Sequence, residues 1–453
     1  MSPPASDVDS PTVCAVIGLG KIGSSLAAVL GAAGMPVVGV DLDERIVAAI
    51  NRGVAPFPEP GLQHAIDRAG HRLRATTDTA DAIRAADISF VVVPTPSDAH
   101  GGFISDAVVA AITSVGRVLA TTDRYHVVSV MSTVMPRSMD EEIARELASS
   151  SGKRPGVDVG LCYNPIFIAL GTVIHDLTHP DLVLIGESDA CSGVLVEQVH
   201  QRICRNRPAM HHTNWVNAEI AKFGLNTFVT LKISFANMLG ELCEHTPGSD
   251  VDAITDIVGT DHRVGHASLR AATAYGGPCF PRDNIAFVRA ATEAGVEATL
   301  AEASDRVNHR QVDRLVATVM RESPPGATIA ILGLAYKAET DVLDESQGLA
   351  LAMHLIAGGH RVLGFDPLVG ADRPTGVAGL DLVDRIEDCV RRADVVVLTT
   401  SSAEFRALPA LIAERGRELV VIDCWRLFPE EVPGIRIVHP GRWPVLREER
   451  DGT

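Results

Sequence analysis

Short apolar runs alternate with longer helical segments along the first part of the chain. Val13–Ile17 and Val37–Val40 predict strands, and Ser24–Ala33 between them predicts a helix. Ile88–Val93 and Val127–Met131 are further apolar runs of strand length. Strands that are apolar throughout and alternate with helices are typical of a parallel sheet with helices on both faces. The pattern therefore predicts a doubly wound α/β domain.

The same rhythm returns towards the carboxyl end. Thr328–Leu332, Arg361–Phe365, Val395–Thr399 and Leu419–Ile422 predict strands, and Leu349–Ala357 predicts a helix. The turn after the first of these strands contains a single glycine. This second α/β domain is therefore expected to bind a different nucleotide or a sugar nucleotide, not a dinucleotide.

A long helix is predicted between the two α/β domains, over Val216–Glu244, because this stretch has few breakers and apolar residues at helical spacing. Lys222 and Asn226 stand at positions i and i+4, which places them on one face. A solvated face is the ordinary explanation of such a pair. A helix that is apolar nearly all round is expected to be buried, however, so a lysine on it indicates a functional role. The predicted domains are residues 12–212, 213–322 and 323–440.

The turn between the first strand and the first helix is rich in glycine, with the sequence Gly18-Leu19-Gly20-Lys21-Ile22-Gly23. The first glycine permits a tight turn, the second admits a pyrophosphate, and the third lets helix and strand pack. The amino end of the helix attracts phosphate. Asp41 ends the second strand, where it can accept hydrogen bonds from both ribose hydroxyls and repel a 2'-phosphate, which favours NAD over NADP. Arg45 is a candidate for the adenosine end or a solvated helix residue.

Thr95 and Thr133 follow two later predicted strands. The carboxyl ends of parallel strands face the ligand crevice, so both threonines are candidates for the nicotinamide side of a dinucleotide. The alternative for each is a strand-end hydroxyl that only satisfies the backbone.

One glycine-rich loop suggests covalent chemistry. Cys279 follows the pair Gly276-Gly277 and precedes Asp283 by four residues. A thiol beside glycine backbone, with a carboxylate one turn further on if a helix follows, is typical of a covalent catalyst. The alternative is a small buried cysteine beside a helix-capping aspartate. The dinucleotide turn and the pair of Lys222 and Asn226 favour the catalytic interpretation.

Composition narrows the classes of function. The 453 residues carry a formal net charge of −17, which argues against nucleic acid as the main partner. No apolar run reaches the roughly 18 residues that span a bilayer, and Met1–Pro11 is polar, so we expect neither a membrane span nor a signal peptide. Eight cysteines without a spacing pattern indicate reduced thiols and a cytoplasmic location. The histidines His211, His212, His262 and His266 lack companion ligands at metal-binding spacing, so no metal is expected.

Together these segments resemble the UDP-glucose/GDP-mannose dehydrogenase family, from about Val13 to Val438. The matching pieces are Gly18–Gly23 with Asp41, Val93–Pro96, Ser132–Val134, Tyr163–Pro165 with Phe167, Glu219–Asn237, Asp261–Gly265, Gly276–Asp283, Gly333–Lys337 and Phe365–Pro367. The resemblance implies an α/β fold of two Rossmann-like doubly wound domains, joined by a long central helix and a helical dimerisation domain that makes the protein a homodimer.

The resemblance also implies a reaction, in which two successive NAD-dependent oxidations convert the 6-hydroxymethyl group of a nucleotide sugar to a uronic acid. A UDP-hexose is the expected substrate, while an N-acetylhexosamine derivative and GDP-mannose remain open. Cys279 matches the nucleophile that forms a thiohemiacetal and then a thioester. Lys222 and Asn226 match the groups that stabilise the oxyanion, and Asp283 matches a residue that organises water and lysine; Thr133 is included in the catalytic set.

Substrate contacts follow from the same resemblance. Arg263 matches an arginine that reaches the substrate across a dimer interface, and Lys337 matches a residue that faces phosphate. The full set of matched substrate contacts is Phe167, Ile168, Lys222, Asn226, Arg263, Tyr275, Gly276, Phe280 and Lys337.

Two departures from the family pattern alter the expectation for the last step. After Asn-Pro the family typically has Glu-Phe-Leu-x-Glu, whereas both carboxylate positions are aliphatic here, Ile166 and Leu170. Those carboxylates are the natural candidates to deprotonate the water that hydrolyses the thioester. Asp344 stands where the family usually has arginine, which removes a cation expected near phosphate.

Three functions are therefore consistent with the sequence. The first is a complete 6-dehydrogenase with a substitute base, for which Asp283 is the candidate. The second is an altered enzyme that stops at the aldehyde or transfers the thioester to a non-water acceptor. The third is a non-catalytic sugar-nucleotide-binding homologue, against which Cys279, Lys222, Asn226 and Asp283 together weigh.

Overall fold

The computed structural model describes residues 12–415, 418–429 and 431–443, and all counts of helices and strands refer to these residues. The chain separates into two units, with the boundary between Gly224 and Leu225, and each unit is built around its own mainly parallel sheet. The two α/β domains predicted from the apolar pattern are thereby confirmed.

The first unit contains eight strands. They are β1 (Cys14–Ile17), β2 (Val37–Val40), β3 (Leu73–Thr76), β4 (Ile88–Val91), β5 (Val127–Val130), β6 (Gly160–Tyr163), β7 (Leu182–Glu187) and β8 (Ala209–Thr213). The sheet order is β3-β2-β1-β4-β5-β6-β7-β8, parallel throughout except between β6 and β7. Strands β1, β2, β4 and β5 are buried at every position, as expected for parallel strands covered on both faces.

Helices cover both faces of this sheet. They are α1 (Lys21–Ala32), α2 (Glu44–Asn51), α3 (Leu62–Ala69), α4 (Thr79–Ala85), α5 (Asp106–Leu119), α6 (Ala144–Ser151), α7 (Val173–Thr178), α8 (Ala190–Ile203) and α9 (Trp215–Glu244), which continues into the second unit. A 3-10 turn at Gly70–Arg72 and a π-helical turn at Met139–Ile143 complete the set. Helix α1 begins at Lys21, earlier than predicted, because Gly23 lies inside the helix.

The second unit contains seven strands and six further helices. The strands are β9 (Thr328–Leu332), β10 (Arg361–Phe365), β11 (Leu380–Leu382), β12 (Val395–Leu398), β13 (Leu419–Asp423), β14 (Glu431–Val432) and β15 (Ile435–Val438). The helices are α10 (Val251–Thr260), α11 (Phe280–Glu293), α12 (Thr299–Glu322), α13 (Gln347–Ala357), α14 (Ile386–Arg392) and α15 (Leu408–Arg415), with a 3-10 turn at Ala403–Ala407. The sheet order is β11-β10-β9-β12-β13-β15-β14, and β14 alone is antiparallel to its neighbour.

The strand order reverses once in each sheet, between β1 and β4 in the first and between β9 and β12 in the second. In open α/β sheets the ligand crevice lies at such a reversal, beyond the carboxyl ends of the strands. The turn after β1 and the turn after β9 are therefore the positions at which each unit is built to bind a ligand.

Strand β8 is the last strand in the order of the first sheet, and its residue His212 hydrogen-bonds to carboxylates on β7 and α8. The Nδ1 of His212 lies 2.7 Å from Glu187 and its Nε2 lies 3.0 Å from Glu197. Both partners are carboxylates that only accept, so the imidazole donates from both nitrogens as a cation. Burial lowers the pKa of His212, but the hydrogen bonds and charges of Glu187 and Glu197 outweigh burial and raise it above its usual value.

Helix α9 is confirmed, but the side chains that it buries differ from the expectation, because large apolar residues are exposed and polar residues are buried. In the single chain large apolar side chains are exposed along one face: Phe228 (61 %), Phe235 (41 %), Met238 (42 %) and Leu242 (61 %). The buried face is largely polar and comprises Glu219, Lys222, Asn226, Thr227, Thr230, Ser234 and Asn237. The expectation that a mostly apolar helix is buried all round was wrong, because the polar residues face inward to hydrogen-bond neighbouring elements.

Candidate functional site

The glycines of the turn after β1 have three distinct steric roles. Gly18 has a φ of +91°, and a Cβ there would lie 2.3 Å from the carbonyl oxygen of Val92. A Cβ on Gly23 would lie 1.8 Å from the carbonyl oxygen of Gly18, so α1 packs directly on the turn. A Cβ on Gly20 would meet no atom within 4 Å. The backbone is thus open at Gly20 alone, which is where a pyrophosphate can approach.

The amino end of α1 is prepared for an anion. Gly20 is its N-cap and supplies no side-chain hydrogen bond, and the first turn contains no acidic residue. The first N–H groups of a helix lack partners within the helix, and they carry partial positive charge. Lys21 and Ile22, the first helical residues, are half-buried beside this end. These features fit a dinucleotide phosphate.

Asp41 lies beside the same turn at the end of β2. One of its oxygens accepts from the backbone N–H of Leu19 at 2.6 Å, and the other accepts from the N–H of Asp43 at 2.9 Å. This places a carboxylate next to the glycine turn, as a ribose-binding residue requires. Arg45 instead pairs with Asp43 at 2.7 Å and is exposed, so the structure does not bring it to the turn.

The two candidate threonines lie beyond neighbouring strands, Thr95 after β4 and Thr133 after β5. Ser132 joins these strand ends, because its hydroxyl donates to the carbonyl of Val93 at 2.7 Å and accepts from the N–H of Val93 at 3.0 Å. Both threonines are half-buried beside this bridge. The structure thus brings them to one edge of the sheet.

Lys222 is buried against the loop that follows β6. Its ammonium group donates to the carbonyl of Ile166 at 2.9 Å and lies 4.7 Å from the ring centroid of Phe167. A cation over an aromatic face is stabilised electrostatically. The structure therefore brings together Lys222 and Phe167, two of the predicted substrate contacts, within the first unit.

Two residues outside the predicted set hold this loop. The side-chain N–H of Asn164 donates to the carbonyl of Leu184 at 2.9 Å, so its oxygen faces His200 Nε2 at 2.7 Å and accepts from it. Burial lowers the pKa of His200 to about 4, which keeps the ring neutral. The sequence pointed to Asn164 as a loop-holding residue only through its place just before Pro165 and Ile166. It gave no signal for His200, which lies 36 residues further along the chain.

The aliphatic positions of the loop pack into the core of the first unit. Ile166, Ile168 and Leu170 lie against the same apolar cluster. Two carboxylates approach the end of the loop. Glu59 accepts from the N–H groups of Gly171 and Val173, both at 2.9 Å. Each of its oxygens is thus committed to loop backbone.

Asp176 is the second carboxylate, and it also binds the loop itself. One of its oxygens accepts from the N–H of Ala169 at 3.0 Å and from the hydroxyl of Thr172 at 2.8 Å. Both carboxylates near this loop therefore stabilise its backbone, which is the function their contacts support.

In the second unit, the polar face of α9 holds the first turn of α11. Asn226 donates to Asp283 at 2.5 Å, and Thr230 donates to Asn284 at 3.3 Å. Asn284 in turn donates to the carbonyl of Ala301 on α12 at 3.0 Å. Asp283 and Asn284 are both buried. The structure therefore brings together two predicted residues, Asn226 and Asp283, in a hydrogen-bonded frame.

Cys279 is the N-cap of α11, and its carbonyl accepts from the N–H of Asp283 at 2.8 Å. Its side chain is exposed, as is that of Cys191. Burial raises the pKa of Cys14 and Cys424 to about 12, which leaves such thiols unreactive. Cys279 is thus an exposed thiol at the amino end of a helix, which is a location compatible with a reactive cysteine.

The residues around Cys279 are fixed by α12. The backbone of Tyr275 exchanges two hydrogen bonds with the side chain of Asn308, at 2.8 and 3.0 Å. The hydroxyl of Tyr275 donates to Asp305. The ring of Tyr275 meets that of Phe280 edge-on, with centroids 6.4 Å apart. Tyr275 and Phe280, both predicted substrate contacts, thus lie on either side of Cys279 in sequence and touch each other.

The turn after β9 leads to Lys337, which is half-buried. The N–H groups of Leu334 and Ala335 both donate to one oxygen of Asp366, at 2.8 and 3.0 Å. Asp366 ends β10 just as Asp41 ends β2, and each binds the turn after the first strand of its unit. The sequence analysis missed this parallel, although an aspartate at the end of the second strand was visible in both units.

Arg263 lies on the surface of the second unit, where it pairs with Asp261 at 2.6 Å. Among the residues that the structure describes, no cluster of three or more His, Cys, Asp and Glu side chains could hold a metal ion. Within the same residues, no helix is both long enough and apolar enough to cross a membrane.

Comparison with known proteins decides the family. Residues 12–204 match the NAD binding domain of the UDP-glucose/GDP-mannose dehydrogenase family, residues 216–310 match its central domain, and residues 330–430 match its UDP binding domain. The chain belongs to the UDP-glucose/GDP-mannose dehydrogenase family. Its cofactor is accordingly NAD, which the glycine turn and Asp41 fit.

Characterised members of the dehydrogenase family match nearly the whole chain. UDP-glucose 6-dehydrogenase AglM of Haloferax volcanii is 36% identical over 417 residues, covering 91% of this chain and 96% of the relative. GDP-mannose 6-dehydrogenase of Pseudomonas putida is 33% identical and covers 89% and 94%. The solved structure of a UDP-glucose dehydrogenase from Pyrobaculum islandicum matches this chain with a TM-score of 0.85 at 29% identity, covering 97% of this chain and 100% of that one.

Proposed function

We propose that this chain oxidises the 6-hydroxymethyl group of a nucleotide-linked hexose, with a UDP-hexose as the first candidate, to the carboxylate. The observation that carries the proposal is Cys279, an exposed thiol at the amino end of α11, one turn before the buried pair of Asp283 and Asn226. The match of residues 330–430 to a UDP binding domain supports UDP as the nucleotide.

The chemistry divides into two oxidations and a hydrolysis. NAD held at the glycine turn and Asp41 would supply the hydride acceptor, one molecule for each oxidation. In the first, the sugar C6 loses a hydride and its hydroxyl loses a proton, which gives an aldehyde. The sulfur of Cys279 then adds to the aldehyde carbon and forms a thiohemiacetal. Loss of a second hydride and of the hydroxyl proton gives a thioester, and attack by water releases the carboxylate and the thiol.

Charged and polar side chains assist these steps. A Lys222 ammonium group or the Asn226 amide can donate to the oxygen that develops negative charge, and a donor held in place before reaction is the effective kind. Lys222 is held by the Ile166 carbonyl and the Phe167 ring. Asp283 is the candidate base for the attacking water, since it is the carboxylate one turn from Cys279.

The experiment is a turnover assay with NAD and a panel of UDP-glucose, a UDP-N-acetylhexosamine and GDP-mannose. We expect two NADH and one carboxylate per molecule of the true substrate, and no carboxylate from Cys279→Ser, which should still bind the sugar nucleotide. Cys191→Ser is the matched control, because Cys191 is also exposed but lies on α8. Carboxylate formation by Cys279→Ser at the wild-type rate would overturn the assignment.

One observation favours a second candidate, an enzyme that completes the last step slowly or differently. The loop from Asn164 to Gly171 contains no carboxylate, and the nearby Glu59 and Asp176 bind its backbone. Without a base for the last step, the enzyme would either release the aldehyde before the second oxidation or hold the thioester until an acceptor other than water takes the acyl group. Product mass in the same panel distinguishes this candidate from the complete 6-dehydrogenase.

We also propose that the protein acts as a homodimer. The exposed apolar face of α9, formed by Phe228, Phe235, Met238 and Leu242, is the kind of contiguous surface that marks a protein interface. Arg263 is proposed to complete the substrate site of the neighbouring subunit, since its side chain is exposed on the surface, where it pairs with Asp261.

A further inference from the structure

The glycine pair before Cys279 is pressed against a single segment of the second unit, residues 336–345. Gly277 has a φ of +82°, and a Cβ there would lie 2.5 Å from two ring carbons of Tyr336. A Cβ on Gly276 would lie 2.1 Å from the carbonyl oxygen of Glu345. The N–H of Gly277 donates to the carbonyl of Asp344 at 3.1 Å. Neither glycine can move towards the segment, and neither can carry a side chain without displacing it.

The segment is closed by a hydrogen bond within itself and is paired with Arg373 outside it. Its first residue, Tyr336, donates its N–H to the carbonyl of Val342 at 2.9 Å, and Asp341 pairs with Arg373 at 2.8 Å. Glu339 and Glu345 have φ values of +63° and +49°. Residues other than glycine adopt such values at an energetic cost and retain them only where the surrounding structure imposes them. A segment held in this way transmits a displacement instead of absorbing it.

The same segment carries Lys337 next to Tyr336, and the glycine pair is separated from Cys279 only by Pro278. Proline fixes its own φ, so the connection from Gly277 to Cys279 is short and stiff. The segment therefore carries the proposed phosphate contact, Lys337, and also touches the glycine backbone that leads to the nucleophile.

We propose that Tyr336 is a positioning residue which couples occupancy of the nucleotide site to the placement of Cys279. The inference rests on the proposed function, in which Cys279 is the nucleophile, and on the expectation from the family resemblance that Lys337 faces the phosphate of the nucleotide. The ring of Tyr336 supports Gly277. When a bound nucleotide immobilises the segment, the backbone that carries the Cys279 thiol is therefore immobilised as well. Binding energy from the nucleotide, which does not react, is thereby used to orient the reacting group.

The test measures alkylation of Cys279 by iodoacetamide, followed by peptide mass, with and without saturating UDP, which lacks the sugar. In the wild-type protein UDP should change the rate at Cys279 by about fivefold or more. The rate at the exposed Cys191 should stay constant and serves as the internal control. Tyr336→Ala and Tyr336→Leu should abolish the effect while UDP is still bound, and Tyr336→Phe should retain it.

Several outcomes would overturn the proposal. An equal effect of UDP in Tyr336→Ala would mean that UDP shields the thiol directly. No effect in the wild-type protein, with UDP binding seen by calorimetry, would refute the coupling and leave the proposed function intact. If neither UDP nor GDP bound at all, the coupling and the proposed substrate class would both fall. Thermal unfolding of each variant shows whether a lost effect follows from a lost fold, and Tyr336→Leu decides if Tyr336→Ala does not fold.

Discussion

Replacing Gly20 by alanine should weaken NAD binding while leaving the fold unchanged. Gly20 has a φ of −60° and an extended ψ, which alanine adopts without strain, and the added Cβ would meet no protein atom within 4 Å. Alanine also restricts the unfolded chain, so the free energy of unfolding should stay constant or rise by about 0.4–1 kcal/mol. The methyl group would instead occupy the space through which the pyrophosphate reaches the amino end of α1.

The expected loss of affinity follows from the contacts that the methyl group blocks. A hydrogen bond to a charged group contributes about 1.5–3 kcal/mol. Losing one such bond to phosphate should raise the Kd for NAD by about 10- to 100-fold, since roughly 1.4 kcal/mol corresponds to a factor of ten. Calorimetric titration with NAD measures the Kd, and urea unfolding measures the stability.

Gly23→Ala is the matched control for Gly20→Ala. Its Cβ would lie 1.8 Å from the carbonyl oxygen of Gly18, so α1 must shift away from the turn. Overpacking of this kind costs about 1–3 kcal/mol of stability. Wild-type NAD affinity in Gly20→Ala would refute the assignment of the open space to the pyrophosphate, and an unfolding loss in Gly20→Ala as large as in Gly23→Ala would refute the steric reasoning.

Four further predictions address cofactor choice, the last step, assembly and pH. Asp41→Asn should reduce the preference for NAD over NADP, measured as the ratio of the two kcat/KM values, by about tenfold or more. The carboxylate no longer repels the 2'-phosphate, and a charged hydrogen bond contributes about 1.5–3 kcal/mol; an unchanged ratio would contradict this. Rapid mixing with NAD and substrate should give an NADH burst and then slow turnover, since a well-placed base typically contributes about 10²–10⁴-fold; two NADH per sugar without a burst would mean that another base acts. Phe235→Glu should dissociate the dimer in light scattering whereas the exposed-site control Val157→Glu should not; a wild-type mass for Phe235→Glu would exclude α9 as the interface. The pKa of His212 is raised in the folded protein, so its stabilising contribution is present below about pH 6.5 and is lost as the pH rises through the folded value; the unfolding free energy of His212→Gln should depend less on pH over this window, and an equal slope would refute the ion pairs.

The central strands of both sheets were predictable because they are mainly apolar. Val37–Val40, Thr328–Leu332 and Arg361–Phe365 form strands with the predicted bounds. A strand buried on both faces contains few polar residues, so the sequence marks its extent, whereas β3 and β8, which carry exposed polar residues, were not predicted. The glycine turn was predictable for a related reason, since Gly18 and Gly23 occupy positions that no side chain fits.

The polarity of α9 was not predictable from one sequence. Hydropathy treats apolar residues as buried, yet Phe228 and Leu242 are exposed in the chain while Asn226 and Asn237 are buried. Asn237 accepts from the N–H of Ala272 at 3.0 Å and donates to the carbonyl of Thr273 at 3.3 Å. Partners more than thirty residues away determine which face turns inward, and a local pattern does not contain them.

The supporting residues of the site escaped prediction for the same reason. Asn308 holds the backbone of Tyr275 and His200 holds Asn164, in each case across 33 or 36 residues of chain. The catalytic candidates, in contrast, were found because Cys279 and Asp283 stand one turn apart in one segment. Local spacing identifies groups that act together on one element, and long-range contacts decide what keeps them there.

The inward polar face of α9 has a consequence for local unfolding. The apolar cluster beside this helix comprises only Ala236, Cys243, Val251, Leu269 and Ala271, a far smaller set than the clusters within either sheet. Hydrogen bonds hold this region together, and water competes for hydrogen bonds as soon as they open. Regions with few buried apolar contacts open at free energies below that of global unfolding. The amides of α9 and α11 in an isolated chain should therefore exchange with solvent sooner than those of β1 or β9.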